Sequence, residues 1–94
     1  CTELAHIFID LATAKGFEFE DSVTEKMIAA QLEQETTKTW RAERNGRVSE
    51  MLLTGVRGEV RKRMRRAQME QQEDFDPQLL VRSDVESVMK SDFK

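Results

Sequence analysis

The chain has 94 residues, 38% hydrophobic and 35% charged, so residues 1–94 are expected to form one domain with a modest core. Its single cysteine excludes an internal disulfide and a cysteine-based metal cluster. No apolar run approaches the roughly 20 residues that cross a bilayer, and no signal peptide is visible. We therefore expect an intracellular protein, in the cytoplasm or an organelle matrix, with no membrane partner.

The first predicted element is an amphipathic helix that begins at Thr2, which we take as its N-cap, and ends at Lys15 and Gly16. Residues 17–20 alternate apolar and acidic side chains, which predicts a short strand or an extended connector. The apolar positions of the helix recur at helical spacing: Leu4, Ile7, Phe8, Leu11 and Ala14.

A capping-box pattern at Ser22 and Glu25 predicts a second helix that runs through about Gln34. Residues 35–46 are polar, and we predict that they form the end of this helix followed by a loop. Asn45-Gly46 is a typical turn sequence.

The third predicted helix has the longest apolar stripe of the chain. Residues 68–78 are acidic and rich in glutamine, and Pro77 ends any helix there, while residues 79–81 predict a short strand. A second capping box, from Ser83 to Glu86, predicts a short final helix. Together these patterns predict an all-α fold, a four-helix bundle with at most a two-stranded ribbon. The stripe comprises Val48, Met51, Leu52, Gly55, Val56, Val60, Met64 and Ala67.

The net charge of −3 conceals a strong asymmetry along the chain. Residues 1–36 carry a charge of −6, residues 37–68 carry +7, and residues 69–94 carry −4. The middle third is therefore expected to be the main electrostatic contact surface.

Four segments, in this order, resemble the C-terminal lid of AAA+ ATPases of the CbxX/CfxQ, Rubisco-activase-like type. Residues 2–8 resemble the opening "TxEELxxIF" of that lid, and residues 15–19 resemble its "KGYxL" connector. Residues 45–53 resemble its "GNxRxVRNLxE" segment, and residues 80–86 resemble the start of its last helix. The resemblance covers nearly the whole chain and implies a lid-like bundle excised from a longer ATPase.

In such proteins the lid closes over ATP and magnesium that are held mainly by an α/β core. An arginine at the start of the third lid helix contacts the nucleotide phosphates, and Arg47 matches that position. The resemblance thus implies that the chain couples ATP hydrolysis to remodelling of a protein partner, and that it contacts the AAA+ core and neighbouring ring subunits. Glu50 and Met51 replace the family's second arginine and asparagine, so Rubisco remodelling itself does not carry over.

The chain lacks a G-x-x-x-x-G-K-[ST] phosphate loop and an apolar strand that ends in paired acids for magnesium. We therefore expect no catalytic residue, no metal site, no bound cofactor and no ATP hydrolysis in the isolated chain.

Two other functions remain open. The basic stretch 57–66 could bind nucleic acid, but no aromatic residue lies among its cations, and a solvated helix face or an acidic neighbour explains it as well. A free-standing protein-interaction domain is the other alternative. The cations of the basic stretch are Arg57, Arg61, Lys62, Arg63, Arg65 and Arg66.

Two single residues were also considered. His6 has no second His or Cys to complete a metal site, and Trp40 has no evident role.

Overall fold

The computed structural model describes residues 1–44, 47–71, 75–91 and 93. The predicted all-α class is confirmed, and so is the small ribbon, because β1 and β2 pair in parallel with Glu18 opposite Leu79. The predicted turn at Asn45-Gly46 lies outside the described residues. The elements in chain order are α1 (Thr2–Ala14), β1 (Glu18–Phe19), α2 (Glu25–Glu35), α3 (Lys38–Glu43), α4 (Val48–Met69), β2 (Leu79–Leu80) and α5 (Arg82–Ser91).

Helix α3 lies where the sequence predicts a loop, so the described residues contain five helices rather than four. The Thr37 side chain caps α3 by accepting a hydrogen bond from the Trp40 backbone N–H at 3.0 Å. Six residues are too few for a stable isolated helix. Tertiary contacts hold it, because Arg41 Nη1 lies 2.7 Å from Oγ1 and 3.2 Å from the carbonyl oxygen of Thr36, just after α2.

The caps of the other helices differ in detail from those predicted. Helix α1 ends as expected, with Gly16 at a φ of +87°, where a residue without Cβ is favoured. Its N-cap, however, is Cys1 rather than Thr2, with no side-chain capping bond. Helix α5 begins at Arg82, and the carboxylate of Asp84 accepts a hydrogen bond from the N–H of Val81 at 3.1 Å. The capping box predicted at Ser83 would begin this helix at Asp84, which is two residues late.

Helix α2 begins two residues later than its capping box predicted. Thr24, not Ser22, is the N-cap, and its hydroxyl accepts a hydrogen bond from the Met27 N–H at 3.1 Å. Ser22 instead donates to the Glu20 carboxylate. Val23 and Ile28, both buried, occupy the positions of a hydrophobic staple around this cap. Burial of Val23 fixes the register, because a cap at Ser22 would place Val23 inside the helix.

We expect Thr24→Ala to lower the free energy of unfolding by about 1 kcal/mol, because it leaves an amide of the first helical turn without its acceptor. Ser22→Ala is the matched control and should cost about 0.5 kcal/mol or less, since its hydroxyl bonds only an exposed carboxylate. Urea unfolding followed by circular dichroism measures both changes. A larger loss for Ser22→Ala would show that the cap is at the earlier residue.

The core lies between α1, α2, α4 and α5. Helix α1 packs on α2 and α4, and α5 packs on α4 and α2. The rings of Phe8 and Phe19 meet edge to face, with centroids 6.2 Å apart, so the ribbon closes one side of this core. Fully buried side chains of the core include Ala5, Phe8, Ala12, Ile28, Val48, Leu52, Val56, Leu80, Val85 and Met89.

The inner face of α4 differs from the predicted stripe in its second half. Val56, Val60 and Ala67 are buried as predicted, but Met64 is 37% exposed. The inward position between Val60 and Ala67 belongs to Arg63, which is half-buried. Spacings of four, three and four residues from Val56 to Ala67 keep one side of the helix facing the core. Met64 falls one residue outside this face.

Candidate functional site

Arg47 is the N-cap residue of α4. Its carbonyl oxygen accepts a hydrogen bond from the Met51 N–H at 2.9 Å, while its side chain makes no capping bond. The side chain is exposed, and in the described part of the chain its guanidinium has no hydrogen-bond or ion-pair partner. Its donors are therefore free to bind a ligand from outside these residues.

The backbone that carries Arg47 is held firmly by the residues that follow. Val48 is completely buried and Ser49 is 1% exposed. The Ser49 hydroxyl donates a 2.6 Å hydrogen bond to the Leu4 carbonyl oxygen and so ties the start of α4 to α1. The guanidinium thus projects from a fixed point, which reduces the entropy lost when it binds a ligand.

Two other arginines near this point are used inside the domain. Arg41 binds the C-terminal end of α2 through Thr36. The Arg44 guanidinium lies 3.8 Å from the centre of the Trp40 ring, and its Nη1 donates to the Trp40 carbonyl oxygen at 3.0 Å. Arg47 is therefore the arginine of this group whose side chain is uncommitted in the described residues.

Trp40 fills the space between α3 and the end of the chain. Its ring packs at 38° against Phe93, with centroids 5.0 Å apart, and Arg44 covers it. Phe93 is only 2% exposed. This contact could not be predicted from the sequence, because Trp40 and Phe93 are far apart along the chain.

Two open grooves meet at Arg47 and Met51. The first has a volume of about 410 Å³ and a mostly apolar lining. The second, of about 530 Å³, has a mixed lining that includes a second cation, Arg44. An apolar groove joined to a cationic one can accept a ligand with a flat apolar part and an anionic part. The first is lined by Arg47, Glu50, Met51, Thr54, Gly55 and Phe93, and the second by Glu43, Arg44, Arg47 and Met51.

The electrostatics of this site have two opposing parts. The N-terminus of the 22-residue helix α4 and the Arg47 guanidinium both favour an anion. Glu50 lies in the first turn of α4 and lines the same groove, so its carboxylate opposes an anion there. The Arg47 side is therefore the part of the groove best suited to phosphate.

Arg63 does not belong to the exposed cations with which the sequence grouped it. Its Nε and Nη2 each donate to a carboxylate oxygen of Asp84 at 2.9 Å, and Nη2 also donates to the Leu79 carbonyl oxygen at 2.8 Å. Asp84 is 2% exposed. This cluster joins α4, β2 and α5. The helical spacing of Arg63 from Val56 and Val60 was the one sequence signal for its inward position.

His6 is the other residue considered as a metal ligand. It lies 3.2 Å from Asp10 and 3.4 Å from Glu25; the His6 and Asp10 side chains are largely exposed, and Glu25 is half-buried. Among the residues with described positions, no three His, Cys, Asp or Glu side chains are placed to hold a metal ion. None of the helices in these same segments is long and apolar enough to cross a membrane.

Comparison with known proteins gives a single result. No curated protein matches the chain, and neither does any solved structure. Residues 1–89 match the profile of one family, described as a domain of unknown function, DUF8495. Because the match covers nearly the whole chain, this protein belongs to the DUF8495 family.

Proposed function

We propose that this domain is the C-terminal lid of an AAA+ ATPase, which closes over ATP and couples hydrolysis to remodelling of a protein partner. The observation that carries the proposal is Arg47, whose backbone is held at the start of α4 beside an apolar groove and whose guanidinium has no partner among the residues described. Arg47 matches the phosphate-contacting arginine of the lids that the sequence resembles. The α/β core that would hold ATP and magnesium is not part of residues 1–94.

The residues around Arg47 fit the chemistry of a nucleotide. A guanidinium makes forked, charge-assisted hydrogen bonds to phosphate oxygens. Met51 and Phe93 line the neighbouring groove with apolar atoms, which suits the face of a base or ribose. Arg44 contributes a second positive charge nearby, although its guanidinium is held over Trp40. Arg47 is thus the residue we assign to the phosphates.

Transmission of a nucleotide signal requires a lid that moves as one body. The start of α4 is bonded to α1 through Ser49, and its second half is bonded to β2 and α5 through Arg63. These bonds link the helix that carries Arg47 to α1, β2 and α5. In the proposed machine this rigid lid rotates against the AAA+ core and a neighbouring ring subunit.

ATP hydrolysis by the complete protein that contains residues 1–94 tests the proposal. The proposal requires a phosphate loop in that protein and a hydrolysis rate that depends on Arg47. A protein without such a loop, or one that hydrolyses ATP with no dependence on this arginine, would exclude the nucleotide-sensing role.

The exposed cations of α4 favour nucleic-acid binding as a second candidate function. Arg57, Arg61 and Arg65 are exposed on one side of the helix. In the sequence, no aromatic residue that could stack on bases lies between residues 57 and 66, and the chain as a whole has a charge of −3.

We therefore expect weak or undetectable binding of the 94-residue chain to single-stranded or duplex nucleic acid at physiological salt. Fluorescence anisotropy with labelled oligonucleotides measures it. A complex of about micromolar affinity, with a steep loss of affinity as salt rises, would support the second candidate instead.

A further inference from the structure

The second half of α4 presents an exposed row of cations, here called the basic strip, which comprises Arg57, Arg61, Lys62, Arg65 and Arg66. Residues four apart lie on one side of a helix, with a rise of about 6 Å between them. The three residues Arg57, Arg61 and Arg65 thus form a row that is slightly inclined to the helix axis, with Lys62 and Arg66 beside it. From its first to its last residue the strip is about 14 Å long.

Within the described segments, most of this charge has no counter-ion. Lys62 lies 3.3 Å from Glu59, one helical turn earlier. In the described part of the chain, Arg57, Arg61 and Arg65 have no carboxylate within ion-pair distance. Asp84 does not neutralise the strip, because its carboxylate accepts hydrogen bonds from Arg63 on the opposite side of α4. The charge of the strip is therefore available to an external partner.

We propose that the basic strip docks an acidic segment of a partner protein, a helix or extended stretch with carboxylates on one side. Glutamates at every fourth position of a helix repeat at the same rise of about 6 Å as this row of arginines. Each guanidinium can then face one carboxylate along the length of the strip. Complementary charge of this kind fixes register and raises the rate of association.

The charge around the strip favours a short acidic segment over nucleic acid. Glu50 lies two turns before Arg57 on the same side of α4, and Glu70 follows directly after the helix. A nucleic-acid strand that continued beyond the strip would bring its phosphates near these carboxylates. An acidic segment of about 14 Å can end before it reaches them.

This surface is separate from the nucleotide site proposed above. Arg57 lies ten residues after Arg47 along α4, a rise of about 15 Å. Docking of an acidic segment requires neither ATP nor an ATPase core, so the docking proposal can be tested independently of the nucleotide site.

The test uses the 94-residue chain and labelled alanine-rich helical peptides of about 20 residues. One peptide carries three glutamates, each four residues after the last, at its centre, and an isomer of the same composition carries the three around the whole helix. A short duplex DNA of random sequence is the third probe. Binding is measured by fluorescence anisotropy at about 50 mM and about 200 mM salt.

We expect the one-sided peptide to bind more tightly than its isomer and than the DNA, with weaker binding at the higher salt. The triple variant Arg57→Gln, Arg61→Gln, Arg65→Gln should weaken binding of the one-sided peptide about tenfold or more. A matched variant, Lys15→Gln, Lys38→Gln, Lys90→Gln, removes the same charge elsewhere and should change affinity about twofold at most.

Three outcomes would overturn the proposal. Equal losses in the two triple variants would mean that only net charge matters. Absence of peptide binding at the lower salt would show that the strip is simply solvated. Tighter binding of DNA than of the one-sided peptide, lost in the arginine variant, would assign the strip to nucleic acid.

Discussion

Replacement of Arg63 by alanine is expected to lower the free energy of unfolding by about 3–5 kcal/mol. The variant leaves the Asp84 carboxylate, 2% exposed, without its cation, and it leaves the Leu79 carbonyl oxygen without the Arg63 donor. A domain of 94 residues typically has a total stability of about 5–14 kcal/mol. The variant should therefore be only marginally folded at room temperature, which urea unfolding followed by circular dichroism measures.

The size of this effect follows from burial and not from the number of charges. The Arg82–Glu86 pair, in α5, is shorter at 2.7 Å, but the Arg82 side chain is 53% exposed. Water solvates Glu86 when its partner is removed, so Arg82→Ala should cost about 0.5 kcal/mol or less. Asp84, which is 2% exposed, cannot be solvated in this way unless the start of α5 unfolds.

A double variant separates the ion pair from simple loss of packing. Arg63→Met with Asp84→Leu removes both charges and keeps apolar volume, so it should lose less stability than Arg63→Met alone. Two results would contradict a structural role for this pair. The stability lost in the double variant could equal the sum of the losses in the two single variants, or Arg63→Ala could lose as little stability as Arg82→Ala.

Arg47→Ala should reduce ATP hydrolysis about ten- to a hundredfold in the complete ATPase that we propose. A charge-assisted hydrogen bond to phosphate contributes about 1.5–3 kcal/mol, and this energy is lost from nucleotide binding or from the transition state. The free energy of unfolding should change by about 0.5 kcal/mol or less, because the side chain is exposed and has no partner in the described residues. Steady-state hydrolysis assays and urea unfolding measure the two quantities separately.

Three further variants control this experiment. Arg47→Lys should restore activity only in part, because an ammonium group cannot form the planar fork of a guanidinium. Arg82→Ala removes an exposed arginine from α5 and should leave hydrolysis unchanged. Arg44→Ala should lower stability through its contact with Trp40. If Arg44→Ala abolished hydrolysis while it remained folded, and Arg47→Ala did not, the phosphate contact would belong to Arg44.

Much of the fold could be predicted from the sequence because local patterns encode it. The helices α1, α2, α4 and α5 carry apolar periodicity or cap residues that act within one or two turns. Residues 17–20, predicted as a strand or an extended connector, and residues 79–81, predicted as a strand, contain the two strands, and their pairing follows from the way the helices bring them together. Helix α3 was missed because its six residues have no apolar stripe. Arg41 holds it through Thr36, at the end of the preceding helix, and Trp40 holds it through Phe93, which is distant in sequence.

The arginines show which properties the sequence by itself determined and which only the tertiary structure decided. The sequence by itself determined where positive charge accumulates, since charge depends only on composition along the chain. It also placed Arg47 at the start of a long helix, which a local turn and an apolar stripe are sufficient to indicate. Only the packed structure assigned Arg41 and Arg63 to internal hydrogen bonds and left Arg47 exposed. The physical reason is that a cation is committed or free according to which carbonyls and carboxylates other elements bring within about 3 Å of it.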